Sequence, residues 1–177
     1  MSRIRPATIA IAAMMTAIAA VFTLLARVPI PATQGYFHFG DVAVFFAGFA
    51  FGPLVGLVAG GIGTGLADVL GGFAFYAPIS LLAHGLQGLL AGWLGHNRGP
   101  QGLVLGWLAG GLAMVAVYFA AQAIVFGVGS AIAELPWNLG QMVGGGAIAV
   151  PILHLVRKAY PPILQMGQRP TWRARSA

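Results

Sequence analysis

At 177 residues, 59% of them hydrophobic and only 7% charged, with a mean hydropathy of +0.88, the chain has no segment with the composition of a water-soluble domain, and the bilayer is its solvent. The net charge of +6 does not point to nucleic acid. The basic residues Arg3, Arg5, Arg98, Arg157, Lys158, Arg169, Arg173 and Arg175 flank apolar runs, where they set topology, and the tail from Arg169 to Arg175 also suits anionic lipid headgroups. Cysteine is absent, which excludes disulfides, thiolate nucleophiles and thiolate metal sites.

The length leaves room for about five to seven spans of roughly 20 residues and for one domain. Arg3 and Arg5 precede an apolar run from Ala7 to Ala26 that is too long for the core of a secretory signal, so helix 1 is predicted over 7–27. Pro29, Pro31 and Gly35 then break the chain into a loop. Helix 2 is predicted over 37–51, short for a full span. Gly52-Pro53 opens helix 3 (53–72), and Pro78 opens helix 4 (78–95). His96-Asn97-Arg98-Gly99-Pro100 is the most polar internal connection; helix 5 follows over 101–128. Gly129-Ser130 and Glu134-Leu135-Pro136 lead into helix 6 over 137–157, and 161–177 reads as a basic cytoplasmic tail.

The expected fold is therefore an all-α integral membrane protein, a single six-helix domain over 1–160 with both termini cytoplasmic. An even count places every basic residue except Arg27 on the cytoplasmic side, as the positive-inside rule requires. All three acidic residues, Asp41, Asp68 and Glu134, then fall on the outer side. Glycines four apart let helices approach closely in lipid: Gly52, Gly56 and Gly60, then Gly61 and Gly65, Gly102, Gly106 and Gly110, and Gly140 and Gly144 each read as an intramolecular packing row. Ala13 and Ala17 offer a similar small face on helix 1, suited either to packing or to docking another helix.

An acid within a span is a functional candidate by default. Asp68 lies one turn from the outer end of helix 3, and Asp41 at the outer start of helix 2, where it either caps free amides or meets a ligand. The densest polar group opens helix 6: Glu134, Trp137, Asn138 and Gln141, with Asn138 and Gln141 sharing a face. Gln122, His84 and Gln87 either point at the same cavity or bond neighbouring helices. His154 reads as interfacial. Tyr36, Phe37, Phe39, Phe73, Phe75, Tyr76 and Trp137 form an outer aromatic belt, and those in loops are placed to stack on a heterocycle. No His-Glu-x-x-His helix or phosphate-binding Gly-Lys-Ser/Thr loop is present, and Ser130 lacks the setting of a nucleophile elbow. Scattered histidines without cysteine argue against a transition-metal site. No enzyme activity and no cofactor are expected.

Phe37-His38-Phe39-Gly40-Asp41, Phe51-Gly52-Pro53, Ala67-Asp68-Val69-Leu70-Gly71-Gly72, Tyr76-Ala77-Pro78, His84-Gly85-Leu86 and Asn138-Leu139-Gly140-Gln141 occur in this order across about residues 7–158. The pattern resembles the substrate-binding S components of energy-coupling factor (ECF) transporters, in the riboflavin-type or hydroxymethylpyrimidine-type branch. The resemblance implies a six-helix bundle in a prokaryotic plasma membrane. Such a bundle captures a water-soluble vitamin or precursor under the loop between helices 1 and 2, then topples when docked on a transmembrane T component driven by two ATPases. It implies that Ala13 and Ala17 contact the T component and that Asn138 and Gln141 line the outer pocket. Where many relatives carry a lysine before the helix 4 glycine, this chain carries His84. The expected substrate-binding set is His38, Asp41, Asp68, Tyr76, His84, Gln87, Gln122, Glu134, Trp137, Asn138 and Gln141. A planar, neutral or weakly cationic heterocycle suits it: riboflavin, a pyrimidine or pyridine precursor, or a cobalamin-precursor base. The other readings are a standalone proton- or sodium-coupled transporter, for which the inner half offers little polar pathway, and a ligand-free scaffold, for which the glycine rows suffice.

Overall fold

The computed structural model describes residues 6–25 and 27–166; Arg3, Arg5 and the cluster from Arg169 to Arg175 lie outside the described residues. Six long helices follow in order: α1 (Pro6–Leu25), α2 (Gly40–Phe51), α3 (Pro53–Leu70), α4 (Ala77–Gly95), α5 (Gly99–Phe126) and α6 (Val128–Ala159). A short hairpin, β1 (Val28–Ile30) with β2 (Gly35–Phe37), joins α1 to α2, and a single-turn α7 (Ile163–Met166) closes the chain. Four helices, α1, α3, α5 and α6, are long and apolar enough to cross a membrane. Their outward side chains, such as Leu25, Ile124 and Leu155, are exposed, as expected where lipid replaces water. The protein is a multi-pass, nearly all-helical membrane bundle.

The 12-residue α2 is its axis, with every residue except Phe46 buried. At ~1.5 Å per residue it reaches only about 18 Å, short of a ~30 Å hydrocarbon core. The hairpin precedes it in the chain, with Val28, Pro29, Pro31, Ala32 and Gln34 exposed and Ile30, Thr33 and Gly35 turned inward. The register pairs Val28 with Phe37, Pro29 with Tyr36 and Ile30 with Gly35. Gly35-Tyr36-Phe37 therefore belongs to a strand, so α2 begins at Gly40 and not at residue 37 as the hydrophobic run implies. Between α2 and α3 the chain turns on Gly52 alone, at φ 92°, a left-handed conformation that a side chain disfavours.

Three of the glycine rows are packed seams. A Cβ on Gly56 would strike the Gly88 carbonyl, one on Gly60 the His84 carbonyl, and one on Gly61 would come within 2.8 Å of the Leu81 carbonyl. The α3–α4 seam is thus backbone on backbone. Gly102, Gly106 and Gly110 do the same for α5 against the Leu94, Ala91 and Gln87 carbonyls of α4. The fourth row departs from expectation: nothing lies within 4 Å of a Cβ on Gly140 or Gly144, whereas Gly145 is pressed against Asp41 of α2 and Gly146 against the Trp107 ring. The close face of α6 lies one residue on from the predicted one.

The half of the bundle away from the hairpin is solid. Phe45, Phe49, Val55, Ala59, Ala91, Leu103, Ala149 and Leu153 form one buried cluster, with Ile11 and Met15 of α1 and Ile163 of α7 sealing it. The turn at Ile163 therefore packs against the bundle. His154, by contrast, is exposed.

Candidate functional site

Polar side chains gather at the other end, beneath the hairpin. Each anchor of the hairpin is a hydrogen bond to a residue singled out in the sequence or to its neighbour. The Thr33 hydroxyl donates to Glu134 Oε2 on α6, and the Thr33 carbonyl accepts from the Tyr76 hydroxyl at 2.5 Å. The Tyr36 hydroxyl donates to Asp68 Oδ1 on α3 at 2.5 Å. The His38 amide donates to Gln141 Oε1 at 3.1 Å, and the Gly40 amide donates to His38 Nδ1 at 3.0 Å. Burial pushes the Tyr76 phenol up to about 12, with the Glu134 and Asp68 carboxylates adding to the shift. Burial and then Asp68 push Tyr36 up as well, so both phenols remain donors at neutral pH.

Arg27 sits outside this lid. It donates to the Gly71 carbonyl at 3.1 Å, and its guanidinium lies 5.5 Å from the Tyr36 ring centre and 5.7 Å from that of Phe73, within cation–π range.

The lid closes over a cavity of about 10 Å³ lined by Gly35, Tyr36, His38, Asp68, Tyr76, Ser80, Tyr118, Glu134, Asn138 and Gln141. That volume holds about one water. A vitamin-sized ligand needs about 300 Å³ or more, which the closed cavity does not offer. Below the cavity, Asp41 is the hub of a fully buried network. Its Oδ2 accepts from Gln87 Nε2 at 2.7 Å and its Oδ1 from Gln141 Nε2 at 3.0 Å. His84 Nδ1 lies 2.7 Å from Gln87 Oε1 and 3.4 Å from Asp41 Oδ1. Asp41 is thus not a helix cap: no side chain caps α2. The network spans four elements, joining the hairpin, α2, α4 and α6, and holds His38 by its backbone.

Several buried polar atoms around the cavity have no hydrogen-bond partner of good geometry: Asp68 Oδ2, although Ser80 lies beside that carboxyl, His84 Nε2, Asn138 Nδ2, and both amide atoms of Gln122, although Glu134 and Tyr76 lie beside it. In most folded proteins such groups are paired, and here several of them lie close together.

The structure thus brings Asp68, Tyr76, Glu134, Asn138, Gln141 and His38 to the cavity wall, and places Asp41, His84 and Gln87 beneath it. Gln122 is fully buried beside Glu134. Trp137 is the exception. It is 44% exposed and packs on Phe37, 6.3 Å between ring centres, outside the cavity. Phe39 and Phe75 are likewise exposed. Sequence reading missed Thr33, Ser80 and Tyr118. The last two carried a signal: Ser80 precedes His84, and Tyr118 precedes Gln122, by the four residues that place side chains on one helix face. In the structure Ser80 Oγ and the Tyr118 hydroxyl lie 2.6 Å apart.

His38, Asp41 and His84 also bring three potential metal-ligating atoms within 4.8 Å of one another, a proximity that their scatter along the sequence conceals. Both Asp41 oxygens already accept from amides, and the cluster stands as a hydrogen-bonded network.

His38 supplies a pH prediction. Burial, and secondarily His84, hold its imidazole well below the ordinary 6.5, so it is neutral in the closed hairpin. Closure then has its full stability above 6.5, the value in the open chain, and loses stability as the pH falls below it, because the open state takes up the proton first. Hydrogen exchange of the amides in 28–38 is expected to accelerate on lowering the pH from about 7.5 to 5.5, after correction for intrinsic rates, and a His38→Gln variant is expected to lose that acceleration.

A sequence profile described as "ECF-type riboflavin transporter, S component" matches residues 3–158. Among curated proteins, a Pyrococcus woesei protein described as "Uncharacterized protein in gap 3'region" is 38% identical over 148 residues, covering 82% of this chain and 98% of its own. The "Thiamine precursor transporter HmpT" of Lactococcus lactis subsp. cremoris is 33% identical over 147 residues, covering 82% and 85%. Among solved structures, the S component of a bacterial ECF transporter superposes with a TM-score of 0.65 at 21% identity, over 86% of this chain and 96% of that one, which shows a shared fold.

Proposed function

The chain belongs to the family of ECF-type transporter S components, and from that membership we propose that it is the substrate-specific subunit of an importer for a vitamin or vitamin precursor. The observation that carries the reading is the polar cavity closed by the β1–β2 hairpin, with buried polar atoms left unpaired around it. Riboflavin, in the family's description, and a thiamine precursor, in that of HmpT, are both planar nitrogen heterocycles. Tyr36 and Tyr76 offer rings to stack on such a ligand, while Asn138 and Gln141 offer amides to orient it. The test is to purify the chain alone in mild detergent, denature it and identify any released small molecule by mass spectrometry. A vitamin-like heterocycle in near-stoichiometric amount is expected; a blank after growth on a vitamin mixture counts against the reading.

Delivery rests on a second surface. A groove of about 540 Å³ between α1 and α3 is lined by Thr8, Ile9, Ala12, Ala13, Thr16, Ala17, Leu54, Val58, Ile62 and Leu66. Ala13 and Ala17 are exposed in it, and small residues at that spacing admit another helix closely. We assign this groove to the T component, which two ATPases drive, in a prokaryotic plasma membrane with both termini cytoplasmic. An Ala13→Trp/Ala17→Trp variant is expected to keep ligand affinity within about twofold, since the groove lies apart from the cavity, yet to lose co-purification with the T component and all ATP-dependent uptake. Retained uptake would place docking elsewhere.

A further inference from the structure

We propose that the end of the bundle opposite the hairpin holds a second binding site, built on Arg157, for the phosphate group of an anionic membrane lipid. The site is separate from the cavity and stands whatever that cavity takes. Arg157 lies in the last turn of α6. Its side chain is half-buried, and its Nε and Nη2 are closed to solvent without a hydrogen-bond partner among the described residues. A basic residue that serves topology alone extends its head into water and keeps only its stem against the bundle. Arg157 instead holds two N–H donors where water does not reach them, and a guanidinium has no acceptor and keeps its charge. A cation in that position calls for an anion.

No side chain of the protein supplies one. There are three acidic residues, and all are engaged in the hairpin half: Asp41 with Gln87 and Gln141, Asp68 with Tyr36, and Glu134 with Thr33. His96, close enough for the Arg157 charge to act on its ring, is no substitute. Its Nδ1 donates to the Phe49 carbonyl at 2.9 Å and its Nε2 accepts from the Asn97 amide at 2.9 Å, so both ring nitrogens are used. Lys158 in the same turn and Arg98 at the start of α5 are exposed at this end and add positive charge. An anion arriving here meets cations and no opposing carboxylate.

The geometry of the two free donors and their depth select the ligand. Nε–H and an Nη2–H of one guanidinium point the same way, the fork that takes two oxygens of a single oxyanion, as phosphate presents them. Trp93 in the last turn of α4 and Tyr160 at the end of α6 are both exposed; rings so placed sit at headgroup level, which puts Arg157, one turn before Tyr160, at the depth of lipid phosphates. At the same end a groove of about 340 Å³ between α1 and α7, lined by Ala7, Ile11, Pro162, Gln165 and Met166, gives an acyl chain a mostly apolar bed. A free phosphate ion has no use for such a groove.

The test is thermal unfolding of the full chain in decylmaltoside with one addition at a time: phosphatidylglycerol, phosphatidylcholine or inorganic phosphate. Phosphatidylglycerol about a hundredfold above its dissociation constant is expected to raise the melting temperature by about 5 °C or more. Phosphatidylcholine is expected to do much less, since its choline brings a cation against Lys158 and Arg98, and phosphate ion to do least. In Arg157→Gln the phosphatidylglycerol shift is expected to vanish, whereas Arg173→Gln, in the tail, keeps it. An equal shift in Arg157→Gln overturns the site and leaves only the general attraction of basic ends for anionic lipid. The same shift from inorganic phosphate keeps a phosphate site and overturns the lipid as its source. No shift in the parent chain from any addition overturns the proposal and leaves an acidic residue of a partner protein as the anion that Arg157 meets. Should Arg157→Gln not fold, Arg157→Lys keeps the charge without the fork: a phosphatidylglycerol shift at least halved supports the site, and an undiminished one overturns it.

Discussion

A single methyl at Gly88 is expected to cost the bundle about 3 kcal/mol or more. A Cβ at this position would lie against the carbonyl oxygen, carbonyl carbon and Cα of Gly56, all of them backbone. The reciprocal Cβ on Gly56 would meet the carbonyl of Gly88. No rotamer change relieves such a contact; the axes of α3 and α4 must move apart, and the van der Waals packing that holds helices together in lipid is lost along the whole seam. Gly144→Ala, on the open face of α6, is expected to be neutral or stabilising by up to ~1 kcal/mol through helix propensity. Thermal unfolding of the two variants side by side in the same detergent checks both. Equal melting temperatures would mean that the seam is looser than its geometry.

Asp41→Ala is expected to be the most damaging change near the cavity. The carboxylate is fully buried and is the acceptor for the Gln87 and Gln141 amides, with His84 Nδ1 a further 3.4 Å neighbour. Removing it strands buried donors at about 1–3 kcal/mol for each group left without a partner. The damage extends to binding. Gln141 both donates to Asp41 and accepts from the His38 amide, so a released Gln141 no longer seats the hairpin. Asp41→Asn keeps one acceptor oxygen and is expected to fall between. Melting temperature and ligand titration, measured on both variants, separate the two effects. Full binding by a folded Asp41→Ala protein would show that the network supports the fold without setting the lid.

Much of the architecture was written in hydropathy and punctuation. Gly52-Pro53 and Gly99-Pro100 mark helix starts because proline fits a first turn and glycine the positive φ before it. Two elements were not legible. The hairpin has three-residue strands, too short for an alternating pattern to declare itself, and its prolines read as loop. What fixes it is tertiary: Thr33, Tyr36 and His38 are bonded by α6 and α3, residues 32 to 103 positions distant. The start of α6 was obscured by Glu134-Leu135-Pro136, which reads as a connection. Helix nevertheless runs from Val128 through Pro136: Gly127 at φ 88° makes the turn alone, and α6 carries Pro136 within it despite the lost hydrogen bond and the ring's clash with the carbonyl one turn back. The acids and amides of the site were visible as polar residues in apolar runs. Their division into wall and floor was not, since it depends on rotations about helix axes that a residue or two of register decides; Trp137, beside Asn138 in sequence, accordingly faces outward.

The solid half of the bundle has a thermodynamic consequence. With Phe45, Phe49, Leu103 and Leu153 filling the end opposite the hairpin, the proposed function implies that a ligand leaves by the route it came. On the proposed function, the chain alone in a membrane would be an equilibrium device: its occupancy would follow the concentration on the side from which it is loaded, through a single dissociation constant. It cannot raise the concentration on the other side, however tight that constant is. Tighter binding lengthens residence, with dissociation slowed in proportion, so whatever unloads the chain must supply free energy at least equal to the affinity gained in capture. Scarcity of the ligand outside and the work done per molecule delivered inside are therefore tied to the same few side chains.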